Sequence, residues 1–372
     1  MNFQFSEEQE ELRRQARRLL GGGLARARAA LDNGAPYDAP LWRQVVEMGW
    51  PAAAIPEALG GLGLGALELC VLAEEVGRAL APVPFVASVL HATEALVLCR
   101  ETPAAAPALA ALADGGSIAT VAFAEAGAAL WDALPAAVVS DGLLSGTKVV
   151  VAEGGAADLA VVSARAADDG AGFGWWLVDL RAAGVTRSAV TAIDCVRRHA
   201  TIGFDRAPAV RLGAAGQGSR LARALMDRAA VYDAFEQLGG AEAVMELTLE
   251  YVKTRYAFGR PVAGYQAVKH KLADMYVKVQ LARSHAYYGA WAVQNDAPEL
   301  ALCAAGARVA ATDAFGTAAE EAVELHGGIG FTWESDCQLF YRRARLLAAA
   351  LGGRAVWSRR LVRAMLATHT SV

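Results

Sequence analysis

The run Tyr251-Val252-Lys253-Thr254-Arg255-Tyr256-Ala257-Phe258-Gly259-Arg260-Pro261 joins two long helical patterns. Gly259 and Pro261 end the first pattern, because glycine accepts the left-handed turn that closes a helix and proline cannot continue one. Arg255 then stands at a helix end beside a tight turn, where a guanidinium and an approachable backbone can meet an anion such as pyrophosphate. Taken alone, the same residues also read as ordinary stop signals. A second cluster, His326-Gly327-Gly328-Ile329-Gly330, follows in the same helix-rich third. Its glycines lack the Cβ that would keep backbone N–H groups from phosphate oxygens. No strand precedes it, so it is not the dinucleotide fingerprint of a Rossmann fold.

Around these two motifs the chain beyond about residue 215 reads as helix throughout, in the segments 224–238, 241–258, 265–293 and 299–325. In the third segment Val268, Leu272, Met275, Val279 and Ala282 share one stripe while Lys269, Lys271, Asp274 and Lys278 lie elsewhere, as in a bundle helix with a buried seam. Upstream, residues 117–123, 135–152, 158–164, 174–180 and 199–205 are short β-rich runs separated by Gly, Asp and Ala. They predict a small antiparallel barrel or sandwich. Residues before about 115 return to helices broken by Gly21–Gly23, Pro51–Pro56 and Gly60–Gly65. Ser6 and Gln9 have capping-box spacing at the first helix, and residues 65–80 predict a buried helix carrying Glu74, Glu75 and Arg78. The expected class is α+β, with an N-terminal helical domain over 1–115, a β domain over 116–215 and a C-terminal four-helix-bundle-type domain over 216–372.

Composition narrows the function. The 372 residues are 55% hydrophobic with a formal charge of −4, which excludes a disordered chain and gives no basic footprint for nucleic acid. Cys70, Cys99, Cys195, Cys303 and Cys337 lie far apart with no CxxC pair, so neither a disulfide framework nor a structural zinc site is expected, and a reducing cytoplasm fits best. The first 20 residues carry charges throughout and do not read as a signal peptide. No uncharged apolar run reaches the roughly 18 residues of a membrane span. His270 and His285 are too far apart on their helix for a metal pair, and no metal ligand set is expected.

Taken together, the order helical, β, helical, the Arg255-x-x-Phe258-Gly259-Arg260-Pro261 run, Gln266-Ala267-x-Lys269-His270-Lys271-Leu272-Ala273-Asp274-Met275 and Glu324-Leu325-His326-Gly327-Gly328-Ile329-Gly330-Phe331-Thr332 resemble the acyl-CoA dehydrogenase family. Phe5-Ser6-Glu7-Glu8-Gln9 and Pro56-Glu57-x-x-Gly60-Gly61-Leu62-Gly63-Leu64 extend the resemblance over essentially the whole chain. It implies an FAD enzyme that removes hydrogens from the α and β carbons of an acyl-CoA, works as a homo-oligomer or heterotetramer and passes electrons to an electron-transfer flavoprotein. A carboxylate base takes the α proton while the developing charge is held by hydrogen bonds. By this match Arg255, Phe258, Gln266, Glu324, Gly327 and Gly328 hold a neighbouring subunit's FAD, and Asp227 belongs to a substrate-contacting motif.

The resemblance also fails at definite places. Leu351-Gly352 stands where the family has its catalytic Glu-Gly, and Ala229 stands where other branches place the glutamate, followed by Ala230 in place of a CoA-contacting arginine. The flavin motif Thr-Glu-Pro-Gly-x-Gly-Ser-Asp becomes Ala124-Glu125-Ala126-Gly127-Ala128-Ala129-Leu130-Trp131. The Lys-x-Trp-Ile-Thr-Asn strand becomes Lys148-Val149-Val150-Val151-Ala152-Glu153, and Glu324 replaces a glutamine, adding a carboxylate that must be protonated or paired. The groups offered to a neighbour persist while those serving the chain's own flavin and thioester are lost. The expected function is therefore acyl-CoA dehydrogenation, in fatty acid or steroid side-chain degradation, by a subunit that completes a catalytic partner's FAD site. Asp233 and Glu236 remain as displaced-base candidates. A flavin-dependent monooxygenase or oxidase on the same fold, or a non-catalytic scaffold subunit, are the alternatives.

Overall fold

The computed structural model describes residues 5–127 and 130–369. Ala128 and Ala129 of the altered flavin motif lie outside the described residues. The chain packs as two units, one formed by residues 1–29, 66–81 and 230–372, the other by 30–65 and 82–229.

The N-terminal helices are α1 (Glu7–Leu19), α2 (Gly23–Asn33), α3 (Ala39–Glu47), α4 (Ala66–Arg78), α5 (Thr93–Leu98) and α6 (Ala105–Ala113), with a π-helical segment over Phe85–Ala92. The capping box forms as expected: the Ser6 side chain accepts from the Gln9 amide, and the Gln9 side chain accepts from the Ser6 amide at 2.9 Å. Asp38 caps α3 by accepting from the Leu41 amide at 2.9 Å.

Among the described residues eight strands follow: β1 (Ala119–Ala122), β2 (Val138–Ser140), β3 (Leu143–Ala152), β4 (Leu159–Ala164), β5 (Gly174–Asp179), β6 (Val185–Val190), β7 (His199–Pro208) and β8 (Val210–Leu212). They make two four-stranded sheets, ordered β1-β4-β5-β8 and β2-β3-β7-β6. One pair departs from the antiparallel expectation, since β1 runs parallel to β4. A parallel pair needs a crossover, and the excursion of β2 and β3 into the other sheet supplies it. Phe123, Val161, Trp175, Leu96, Leu109, Leu112 and Leu225 form one core between the first sheet, α5, α6 and the following helix. Adjacent Trp175 and Trp176 predict one ring inside and one outside, yet both are buried. Arg211 covers the outer ring, its guanidinium 4.3 Å from the Trp176 ring centre.

The helical third comprises α7 (Gly218–Thr254), the hairpin β9 (Tyr256–Ala257) and β10 (Arg260–Pro261), α8 (Gln266–Gln294), α9 (Leu300–His326), α10 (Cys337–Ala349) and α11 (Arg354–His369). The predicted seam of α8 holds where Met275, Val279 and Ala282 are fully buried. Among the described residues no helix is long and apolar enough to cross a membrane.

Two glycines set a close crossing of α4 and α7. A Cβ on Gly239 would fall 1.8 Å from the Glu74 carbonyl oxygen, and one on Gly77 2.0 Å from that of Glu236. Backbones this near admit no side chain. The crossing buries Glu74 and Glu75, which would be costly without partners. Arg13, Arg17 and Arg283 supply them, at 3.0, 2.6 and 2.7 Å.

Candidate functional site

The residues expected to meet a neighbour's cofactor come together at one end of the helical bundle. Phe258 and Gly259, with φ of 52° and 80°, form the two-residue turn of the β9–β10 hairpin. Positive φ at both central positions is the geometry whose twist suits a tight hairpin, and glycine or asparagine normally occupies it. Phe258 is a bulky residue in the left-handed region and is 97% exposed. It carries both a backbone cost and an exposed aromatic ring, and nothing within the fold repays either. The Arg255 carbonyl accepts from Val262 across the hairpin base at 2.8 Å, leaving its exposed side chain to project from the end of α7. Arg260 stacks on Tyr265, whose hydroxyl donates to the Ala257 carbonyl at 2.9 Å, so the hairpin is held at both ends.

The glycine turn is tied to the same place. Tyr251 near the end of α7 stacks on His326 with ring centres 4.1 Å apart, and its hydroxyl donates to the His326 carbonyl at 3.3 Å. Lys271 of α8 bridges Glu321 and Glu324 at 2.5 and 2.7 Å, and the two carboxylates hold its ammonium above the ordinary value. Glu324 is thereby paired, which meets the requirement set by its replacing a glutamine. Gln266 is exposed in the first turn of α8. A Cβ on Gly327 or Gly328 would meet nothing within 4 Å, whereas one on Gly330 would strike the Val323 carbonyl oxygen at 2.3 Å. Gly330 is explained by packing and Gly327 by its φ of 64°. Gly328 is required by neither, and it leaves an open, amide-bearing surface.

His326 also lies 3.3 Å from the buried Cys337 thiol. This is not a nucleophilic dyad. The His326 Nδ1 lies 2.7 Å from the Ala322 carbonyl oxygen, which only accepts, so that nitrogen holds a proton and cannot take one from the thiol. Burial pushes the Cys337 thiol up and the His326 ring down from their ordinary values.

The two positions expected from the resemblance to carry the base hold no proton acceptor. Leu351 is 6% exposed at φ 56° in the turn between α10 and α11, where its carbonyl accepts from the Trp357 indole at 3.1 Å. Ala229 and Ala230 are buried on α7. Asp227 is also buried on α7, and next to it Arg228 reaches Glu94 at 3.5 Å. Asp233 and Glu236, for which a solvated or interface charge is the simplest sequence expectation, are instead 1% and 0% exposed. Arg343 of α10 pairs with Glu236 at 2.9 Å. Arg308 of α9 lies 3.8 Å from Asp233, donates to Gln237 at 2.9 Å and to the carbonyls of Leu347 and, at 2.7 Å, Ala350. A buried arginine thus caps the last turn of α10 and sets the turn that presents Leu351. Nothing in the sequence spacing pointed to Arg308, which reads as one polar residue in an alanine-rich helix.

In the strand-bearing unit, Glu125 and Lys148 survive from the altered flavin motifs, and they are bonded to each other. Lys148, fully buried, donates to Glu125 at 2.5 Å and to Ser163 at 3.1 Å, while Glu125 accepts the Ala136 and Ala137 amides at 2.5 and 3.1 Å. Trp131, at the motif's aspartate position, packs edge-on against Phe123 and His91, each with ring centres 5.6 Å away. Among the described residues this wall is lined by the chain's own aromatic and ion-paired groups. Burial alone would raise the Glu125 carboxyl, but Lys148 and the two amides outweigh it and hold it below its ordinary 4.5. The resulting stability is present above that value and is lost as pH falls through the lower folded one. Glu125→Gln is expected to cost about 3 kcal/mol at neutral pH and to flatten the acid limb of a denaturant-midpoint series. An unchanged acid limb would refute this assignment.

Among the described residues no group of three or more His, Cys, Asp or Glu could hold a metal ion. Comparison with known proteins gives consistent matches. Residues 6–115 match the family model described as acyl-CoA dehydrogenase, N-terminal domain, and residues 216–366 the one described as acyl-CoA dehydrogenase, C-terminal domain. The acyl-CoA dehydrogenase IpdE2 of Mycobacterium tuberculosis is 35% identical over 343 residues, 91% of each chain. A solved Tcur3481-Tcur3483 steroid acyl-CoA dehydrogenase variant superposes with a TM-score of 0.88 at 31% identity, covering 98% of this chain and 99% of that one. The ChsE4-ChsE5 complex from Mycobacterium tuberculosis gives 0.87 at 28% identity, with coverage of 98% and 99%.

Proposed function

Because the chain belongs to the acyl-CoA dehydrogenase family of oxidoreductases, whose members are FAD flavoproteins, we propose that it serves α,β-dehydrogenation of an acyl-CoA as the subunit completing a partner's FAD site. The observation that carries this reading is the contrast between Phe258 and Leu351. Phe258 is held in a costly conformation and displayed to solvent, while the position of the catalytic carboxylate is closed by a buried leucine. When bound, FAD supplies the hydride acceptor. Arg255 and the amides at Gly327 and Gly328 would hold its phosphates, Phe258 would cover its nucleotide half, and Lys271 would keep Glu324 from repelling it.

In this reading Asp233 and Glu236 hold the bundle through Arg308 and Arg343, and the proton is taken by a carboxylate of the partner. The Tcur3481-Tcur3483 and ChsE4-ChsE5 relatives, named as two-component assemblies, support a heteromer, and the first is named a steroid enzyme, which supports a bulky acyl group. Electrons would leave through an electron-transfer flavoprotein.

The test is purification of the chain alone and after co-expression with a family member that retains its glutamate, followed by mass and FAD-per-chain measurement. Alone, the chain is expected to hold little FAD and show no turnover. The mixed assembly is expected to hold one FAD for about every two chains. Full FAD occupancy with robust turnover by this chain alone would overturn the proposal.

A further inference from the structure

We propose that a basic cavity in the strand-bearing unit binds a small organic phosphate. The cavity has a volume of about 410 Å³, within the range of organic-ligand pockets, and its wall carries Arg187, Arg197 and Arg198 against a single carboxylate, Asp194. That surplus stands out in a chain whose formal charge is −4. Asp194 is buried and accepts the Val196 and Arg197 amides at 2.8 and 3.4 Å.

Two of the arginines are fixed in place by oxygens that do not cancel their charge. Arg187 donates to the carbonyls of Gly155, Ala157 and Leu180 at 3.2, 2.9 and 2.9 Å. Arg198 donates through Nη2 to the Ala30 carbonyl at 2.7 Å, and its Nε is buried with no acceptor. A guanidinium held only by neutral carbonyls keeps its charge, which an anion at this wall meets. Strand β6, which supplies Arg187 and Ser188, lies at the edge of its sheet, so its outward backbone groups add further polar sites. The volume exceeds what a bare phosphate fills, which points to an ester. None of these residues takes part in the cofactor surface, so the two assignments stand or fall separately.

Cys195 provides a direct readout. It lines the cavity and is half-buried, while Cys70, Cys99, Cys303 and Cys337 are buried. The rate of Cys195 alkylation by iodoacetamide would be followed by mass spectrometry at constant ionic strength, with and without pyrophosphate, glycerol 3-phosphate or AMP. At least one organic phosphate is expected to slow alkylation several-fold. Arg198→Met and Ser188→Glu should both abolish that protection, and the second keeps the test valid if the first fails to fold, because Ser188 is exposed and only a charge is added. Equal alkylation with all three probes, protection by pyrophosphate alone, or protection that survives Ser188→Glu overturns the proposal.

Discussion

Arg255→Ala, introduced into this chain within a complex with a flavin-bearing partner, is expected to lower the complex's affinity for FAD by about 10- to 100-fold and to leave the chain's own stability essentially unchanged. The affinity figure follows from losing a hydrogen bond to a charged group, worth about 1.5–3 kcal/mol. The stability figure follows from the structure, in which the Arg255 side chain is exposed and only its backbone closes the hairpin. Phe258→Asn separates function from fold more sharply. Asparagine tolerates the left-handed turn better than phenylalanine, so the isolated chain should gain about 0.5–1 kcal/mol while FAD retention falls. Gly328→Ala gives a third arm, since a Cβ there meets no atom of this chain but would stand before a bound phosphate. Fluorescence titration of the apo complex with FAD, beside urea unfolding of the chain, reads both quantities. If the three substitutions destabilise the chain and leave FAD affinity alone, the exposed end of the bundle has a structural purpose and the subunit-sharing proposal fails.

The second large effect concerns Arg343. Arg343→Met removes the 2.9 Å ion pair to the buried Glu236, and breaking such a pair costs about 3–5 kcal/mol, enough to lower a urea midpoint by about 1 M. Combining it with Glu236→Leu should recover most of that loss, because the buried carboxylate is removed together with the guanidinium. The double-mutant cycle on urea midpoints is decisive, since a coupling near zero would show that the two charges do not depend on each other. It also bears on chemistry. A Glu236 that acted as a displaced base would lose turnover on Glu236→Gln in the assembled complex, whereas a Glu236 that only holds α7 to α10 would lose stability with turnover per folded complex retained.

The sequence by itself determined more of the proposed cofactor surface than of the buried charge. Arg255, Phe258, Gly259 and Pro261 are contiguous, and a two-residue turn after a helix is a local event governed by φ preferences, so it was legible before any packing was known. The helix seam over Met275, Val279 and Ala282 was legible for the same reason, as a period along one element. The missing carboxylates at Leu351 and Ala229 needed only a count of residues along a motif.

Packing decided what surrounds those positions. Glu236 and Arg343 are 107 residues apart and Gln237 and Arg308 are 71, and no periodicity along one helix reports which side chain of another it will face. Glu125 and Lys148 looked like remnants of a flavin motif, yet their 2.5 Å contact inside the strand-bearing unit shows that they stabilise each other. A charge in a sequence is assigned to solvent by default, because burial is costly. Only the tertiary structure brings the opposite charge near enough to offset that cost, and here it sets Arg308 beside Asp233 and Arg343 beside Glu236.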